Sequence, residues 1–263
     1  MMYNILKRSF DIITSGIVIV ILSPLFIPII IGLKFTGEGY IFYKQERIGY
    51  KNKPFLIWKF ATMLKDSANM PGGIMTTKKD PRITPMGGFL RKSKINELPQ
   101  LFNIFFGRMS VVGPRPVMRV SFEAYPYEVQ KVIYNVKPGL TGIGSIIFRD
   151  EETLITDVKN NGGDLWEFYK GKIYPFKGEL EIWYQNHKSL LLDMKLIFLT
   201  AWVIFVPTSK LYEKWFKDLP KRSFKNINYA IRSKFSQESR KKIQKGSCKK
   251  RSTFHQGEDG ITL

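Results

Sequence analysis

The sequence predicts an α+β chain, mostly helical, held to a membrane near its start by a helix–break–helix hairpin. Three observations carry that prediction. A charge-free apolar run covers Ile12–Leu33 with Ser23-Pro24 at its centre, polar and apolar residues alternate between Tyr40 and Phe60, and apolar residues recur at helical spacing afterwards. At 263 residues the chain has room for one full-sized domain with appendages and need not hold two.

A helix needs roughly 20 apolar residues to span hydrocarbon, so a single spanning helix is the simplest account of Ile12–Leu33. Two features favour a re-entrant hairpin. Pro24 and Pro28 each remove a backbone donor and crowd the preceding turn, which predicts a sharp kink at Ser23-Pro24, with the Ser23 hydroxyl placed to take up a freed carbonyl. Cations flank both ends of the run: Lys7 and Arg8 before it, Lys34, Lys44, Arg47, Lys51 and Lys53 after it. Cationic flanks mark the cytoplasmic side, so both ends are expected on one face. The run is too long for a signal-peptide core and no small-residue cleavage site follows, so it is expected to stay on the chain.

The expected organisation is a membrane hairpin over 1–38, a domain over 39–208 and a basic tail over 209–263. IFYKQERIG and PFLIWKF predict two strands joined by a turn at Tyr50–Lys53. Lys65–Pro85, rich in Gly, Pro, Thr and Lys, predicts a loop with functional potential. Met86–Phe106 predicts helix in two pieces with Pro99 near a start, and Ser121–Val136 a helix ending at Lys137-Pro138-Gly139. Glu151–Gly163 and Leu180–His187 are further helix candidates. Leu196–Val206 is apolar but too short to span, which leaves a core helix or one lying in the membrane interface.

The formal charge of +20 calls for an acidic partner: nucleic acid, an anionic membrane or a phosphorylated substrate. Residues 209–263 hold fifteen Lys and Arg against five acids, half of that excess. After Tyr229 too little apolar material remains to offset chain entropy, and disorder is expected. Anionic lipid headgroups are the expected partner of this tail; nucleic acid is not, because neither aromatic platforms nor a recognition-helix motif is present. The single cysteine, Cys248, excludes an internal disulfide framework.

Arg91–Pro116, RKSKINELPQLFNIFFGRMSVVGPRP, surrounds the lone acid Glu97 with Arg91, Lys92, Lys94, Arg108 and Arg115. Several cations around one carboxylate fit a polyanion, with the acid left for a metal or a proton. Arg115, on a stiff Gly-Pro-Arg-Pro frame, is the strongest phosphate candidate because a guanidinium grips phosphate oxygens in bidentate fashion. Arg82, Arg91, Lys92 and Lys59 are weaker candidates for the same role, and each is equally well read as a solvated surface charge.

These segments resemble the bacterial sugar transferases, monotopic enzymes that act on polyprenyl phosphate. The resemblance runs in order through KRSFDI (Lys7–Ile12), the hairpin with Ser23-Pro24, FYKQERIG (Phe42–Gly49) and IWKF (Ile57–Phe60). DPRITPMGGFLRKSKINELPQLFNI (Asp80–Ile104), MSVVGPRP (Met109–Pro116) and KPGLTG (Lys137–Gly142) follow. It implies a small cytoplasmic catalytic domain with amphipathic interface helices, on the inner membrane of a bacterium. It also implies transfer of a phosphosugar from a UDP-sugar to polyprenyl phosphate, with release of UMP and a need for Mg2+, as the first membrane step of a surface glycan. In such enzymes an Asp-Glu pair does the chemistry, Asp as nucleophile and Glu at the metal. Here the implied metal residues are Glu97 and, more weakly, Asp80.

Asn96-Glu97 stands where that resemblance expects Asp-Glu, and an amide is a poor nucleophile beside a carboxylate. Four accounts are open. Glu97 takes over as nucleophile, with Asp80 or the acids Asp150, Glu151 and Glu152 at the metal; the polyprenyl phosphate attacks directly; a rearranged carboxylate set works; or the chain is an inactive scaffold in glycan assembly. Ala61 after IWKF and Arg108 before MSVVGPRP are further departures.

Overall fold

A computed structural model describes residues 2–36, 38–67, 69, 70 and 80–222. Helix α1 (Met2–Phe35) leads into an antiparallel hairpin, β1 (Phe42–Ile48) and β2 (Pro54–Phe60), in which Tyr43 faces Lys59 and Arg47 faces Phe55. Next come α2 (Pro85–Lys92), a 3-10 turn over Ile95–Glu97 and α3 (Gln100–Phe105). Strand β3 (Ser110–Val112) pairs in parallel with β4 (Gly139–Thr141) across the short helices α4 (Arg119–Glu123) and α5 (Tyr127–Val132). The rest is helical: α6 (Ile143–Ile147), α7 (Glu151–Asn160), α8 (Leu165–Phe168), a π-turn at Tyr169–Ile173, α9 (Tyr174–His187), α10 (Leu190–Phe205) and α11 (Leu211–Trp215).

The expected helix–break–helix is a continuous helix: α1 runs through Pro24 and Pro28 without interruption. A proline keeps helical φ, so what it costs is one hydrogen bond and some crowding. The bond lost at Pro24 would have reached the carbonyl of Val20, and the Ser23 hydroxyl donates to that oxygen at 2.8 Å. Packing holds the helix along its length. Arg8 donates to the carbonyls of Ile104 and Phe105, each at 2.7 Å, and the Asp11 carboxylate accepts from Ser110 Oγ and Val111 N. Val18, Ile19 and Leu22 pack on Leu101, Ile104 and Met109; Ile29 and Leu33 close on Phe60 and Leu90. Both ends of α1 therefore rest on the same body. It is also long and apolar enough to cross a membrane by length and composition, and little of it is buried.

The region 121–136 is two helices rather than one, because Pro126 caps the second of them. The main core gathers Ile133, Tyr134, Ile143, Ile173, Leu180, Tyr184 and Leu196, and extends to Phe216 and Leu219. Helix α10 buries Leu192, Leu196, Leu199 and Val203 on one face and leaves Leu191, Met194, Phe198, Trp202 and Phe205 exposed on the other. The buried face bears out the core-helix expectation for this stretch, and the other face is apolar and exposed. Of the basic tail only residues up to 222 are described; the expected disorder after 229, Cys248 and residues 68 and 71–79 of the loop over 65–85 fall outside the described residues.

Candidate active site

Glu97 ends the tight turn between α2 and α3. Lys94 makes that turn possible by adopting a left-handed conformation, φ 61°. Asn103 then fixes α3 to the hairpin: its Oδ1 accepts from Trp58 N at 2.9 Å and its Nδ2 donates to Leu56 O at 2.8 Å. The carboxylate of Glu97 is thereby set against β2.

From the other side comes Arg115. The parallel pair β3–β4 joins the MSVVGPRP and KPGLTG segments so closely that side chains do not fit. A Cβ on Gly113 would lie 2.4 Å from the Lys137 carbonyl, and one on Gly139 would lie 2.1 Å from Gly113 N. Beyond this crossing the Tyr134 hydroxyl donates to the Arg115 carbonyl at 2.9 Å and accepts from Val117 N at 3.1 Å, bracketing Pro116. Held by its backbone, Arg115 sends a forked pair of N–H bonds to Glu97, Nη2 to Oε1 at 2.5 Å and Nη1 to Oε2 at 3.3 Å. The Glu97 side chain is 15% exposed and that of Arg115 45%, so the pair has one face to solvent.

Further cations face it. The hairpin register puts Tyr43, Gln45 and Arg47 on the same side as Lys59. Arg47 donates to Gln45 Oε1 at 2.5 Å and senses both Arg115 and Glu97; Lys59 senses Glu97, Arg47, Arg115 and Arg91. Burial, reinforced by these neighbours against the pull of Glu97, brings the Lys59 amine down to about 7. Burial and Arg115 likewise bring Arg47 down to about 10. Burial alone would raise Glu97, but Arg115 and Lys59 outweigh it and hold the carboxyl at about 2. The site is a fixed anion among crowded cations, which a polyanionic ligand would relieve.

The sequence candidates divide accordingly. Glu97, Arg115, Lys59 and Arg91 come together. Asp80 and Arg82 are both buried and pair with each other, Arg82 Nε and Nη2 reaching Asp80 at 2.9 and 2.6 Å, and Arg82 also donates to the Ser67 carbonyl. Lys92 points to solvent at the end of α2. Asn96 is buried, and its Oδ1 has no hydrogen-bond partner and no access to solvent. Glu151 lies within electrostatic reach of Arg115, and its Oε1 accepts from Lys177 at 2.6 Å and Tyr169 at 2.8 Å. Sequence reading passed over Arg47 and Tyr134. Strand alternation carried the signal for Arg47, since a turn at 50–53 puts it on the Lys59 face; nothing local marks Tyr134.

The chain thus sets a carboxylate among cations beside a long apolar helix. Residues 2–207 match the profile of the bacterial sugar transferase family, and the chain belongs to that family. Over 207 residues it is 36% identical to the UDP-glucose:undecaprenyl-phosphate glucose-1-phosphate transferase of Klebsiella pneumoniae, covering 78% of this chain and 41% of that protein. It is 38% identical over 169 residues to the exopolysaccharide production protein ExoY of Sinorhizobium fredii, covering 59% of this chain and 74% of that one. A third relative, the undecaprenyl-phosphate galactose phosphotransferase of Salmonella typhimurium, is 32% identical over 214 residues, with 76% and 40% covered. The chain thus spans less than half the length of the first and third of these.

Proposed function

We propose that the chain transfers a phosphosugar from a UDP-sugar to undecaprenyl or another polyprenyl phosphate, releasing UMP, at the cytoplasmic face of a bacterial inner membrane as a first step of surface-glycan assembly. The observation that carries this reading is the Arg115–Glu97 pair faced by Arg47, Lys59 and Arg91, in a chain whose relatives are named for that transfer. Phosphoryl transfer asks a protein mainly for positioning and charge neutralisation, which these cations supply. Arg115 would hold a diphosphate oxygen on the exposed edge of its guanidinium while keeping Glu97; Lys59 and Arg47 would face the same phosphates from the hairpin.

Magnesium fits this site in one way. Among the described residues no group of three or more His, Cys, Asp or Glu side chains gathers, and Asp80 is committed to Arg82. Glu97, partly exposed and with lone pairs beyond those Arg115 occupies, is the residue that would hold the ion, and substrate phosphates and water would complete its oxygen shell. When bound, magnesium neutralises charge on the phosphate oxygens.

For the membrane we propose monotopic attachment. Tyr3 and Lys7 near one end of α1 bond to Asp193, while Leu33 near the other packs on Leu90. A spanning helix would carry one of these ends about 30 Å away. The exposed face of α10, with Phe105 and Phe106, would rest in the interface, and anionic headgroups would meet the basic tail.

The test is UMP release from a panel of UDP-sugars with undecaprenyl phosphate and Mg2+. Release should require all three components and fall by about two orders of magnitude or more in Glu97→Ala. Absence of release across the panel would overturn the reading. A Glu97→Ala variant that restores glycan in a deletion strain would favour a scaffold instead.

A further inference from the structure

Among the described side chains the site holds no carboxylate placed to attack phosphorus, and its charge suits two anionic substrates at once. Resting on the proposed phosphosugar transfer, we infer that this chain transfers the group directly between its two substrates, in a complex that holds both, with no covalent phosphosugar on the protein.

Among the described side chains, four acids lie at the positions a nucleophile would have to come from, and each is engaged. Glu97 has both oxygens in the Arg115 fork. Charge drawn toward a guanidinium is charge withheld from attack, so the carboxylate keeps lone pairs for a metal but is a weak nucleophile. Glu151 is held at one oxygen by both Lys177 and Tyr169. Asp80 is buried in its pair with Arg82, and Asp150 is tied to Arg222. Asn96 fails on two independent counts. Its amide carries no negative charge, and its Oδ1 is closed to solvent, so no line runs from that atom to a phosphorus in the open site.

The cations point the same way. Arg115, Lys59 and Arg47 act on the carboxylate of Glu97, and Arg91 acts on Lys59 beside them. In a two-step route the nucleotide product leaves before the acceptor phosphate enters. In a one-step route the diphosphate and the acceptor phosphate are present together, and their mutual repulsion has to be offset by the protein. Four cations against Glu97, with Glu151 already paired to Lys177, do that. The step balances without a co-reactant. An oxygen of the acceptor phosphate forms a bond to the sugar-bearing phosphorus, the bond from that phosphorus to the bridging oxygen breaks, and UMP leaves with the electron pair. No proton has to move.

The experiment is isotope exchange. The full chain in lipid nanodiscs is incubated with radiolabelled UMP and UDP-glucose or UDP-galactose, with and without undecaprenyl phosphate, and label entering the UDP-sugar is measured. In parallel, the protein mixed with donor alone is weighed intact by mass spectrometry. Direct transfer predicts UMP release only with acceptor, exchange without acceptor at the no-protein background, and an unchanged protein mass. Exchange without acceptor, or a mass increase equal to one phosphosugar, would overturn the direct route and leave phosphosugar transfer standing. UMP release with neither donor in the presence of acceptor would instead overturn the transfer reading and the inference together.

Discussion

Lys59 couples the charge of the site to pH. With the site free of substrate its amine sits at about 7, because burial and three arginines outweigh Glu97. An incoming phosphate favours the ammonium, so binding above pH 7 has to take up a proton. Affinity for UDP should therefore fall as pH rises above 7, by up to about tenfold per unit. Calorimetry at pH 8 in two buffers of different ionisation enthalpy should show that uptake, and Lys59→Met should remove both effects. The stability sign follows from the same shift. Between about 7 and the ordinary lysine value of 10.5 the unfolded chain binds the proton and the folded one does not, so this group makes folding more favourable as pH rises through that window. Asn103 makes a prediction of another kind. Asn103→Ala strands Trp58 N and Leu56 O at the edge of β2, and should cost about 1–3 kcal/mol in urea unfolding, with β2 and Lys59 loosened as well.

At the scale of elements, what was legible in the sequence is what depends on local pattern. The hairpin was readable because period-2 alternation and a turn lie side by side, and the two helical pieces over Met86–Phe106 because Pro99 marks the start of the second. Pairing of β3 with β4 was not readable, since three-residue strands carry no periodic signal and their partners lie across two helices. That pairing is what brings Arg115 to Glu97, so the sequence exposed both halves of the site without the joint between them. The same limit hid the packing of α6 against α9, where Glu181 is buried with Oε2 unpartnered and Oε1 lies 2.8 Å from where a Cβ on Gly144 would stand. Burial pushes this acid up to about 8. Between the ordinary carboxylate range and 8 the folded chain holds a proton that the unfolded chain has released, so its contribution to stability declines as pH rises and is least above 8. Glu181→Gln, uncharged at every pH, should melt higher than the wild type at pH 9 and close to it at pH 5. Comparing the two proteins at each pH separates this effect from the opposite slope of Lys59.

For the whole molecule, the proposed attachment to the membrane and the construction of the site are one problem. The Asp11 carboxylate that ties α1 to β3 bonds Ser110 and Val111, two residues before the Gly-Pro-Arg-Pro frame, and Phe26 packs on Phe60 at the end of the strand that carries Lys59. Moving α1 out of contact would disturb both walls of the site. At its start the helix is pinned by the buried Lys7–Asp193 pair at 2.5 Å, with the Tyr3 and Tyr184 hydroxyls on the same carboxylate. A buried ion pair broken from one side leaves an uncompensated charge, at a cost of about 3–5 kcal/mol. The arrangement therefore predicts more than a preference about topology. Single cysteines at Asn4 and Tyr40, placed in a Cys248→Ser background, should both resist an impermeant maleimide in intact cells and both react once the inner membrane is opened. Labelling of only one before opening would put the two ends of α1 on opposite faces and overturn the monotopic reading. In the same assay Lys7→Met should free the start of the helix without moving Tyr40. UMP release should then fall alongside any change at Asn4, because the element proposed to seat the protein in the membrane also forms a wall of its site.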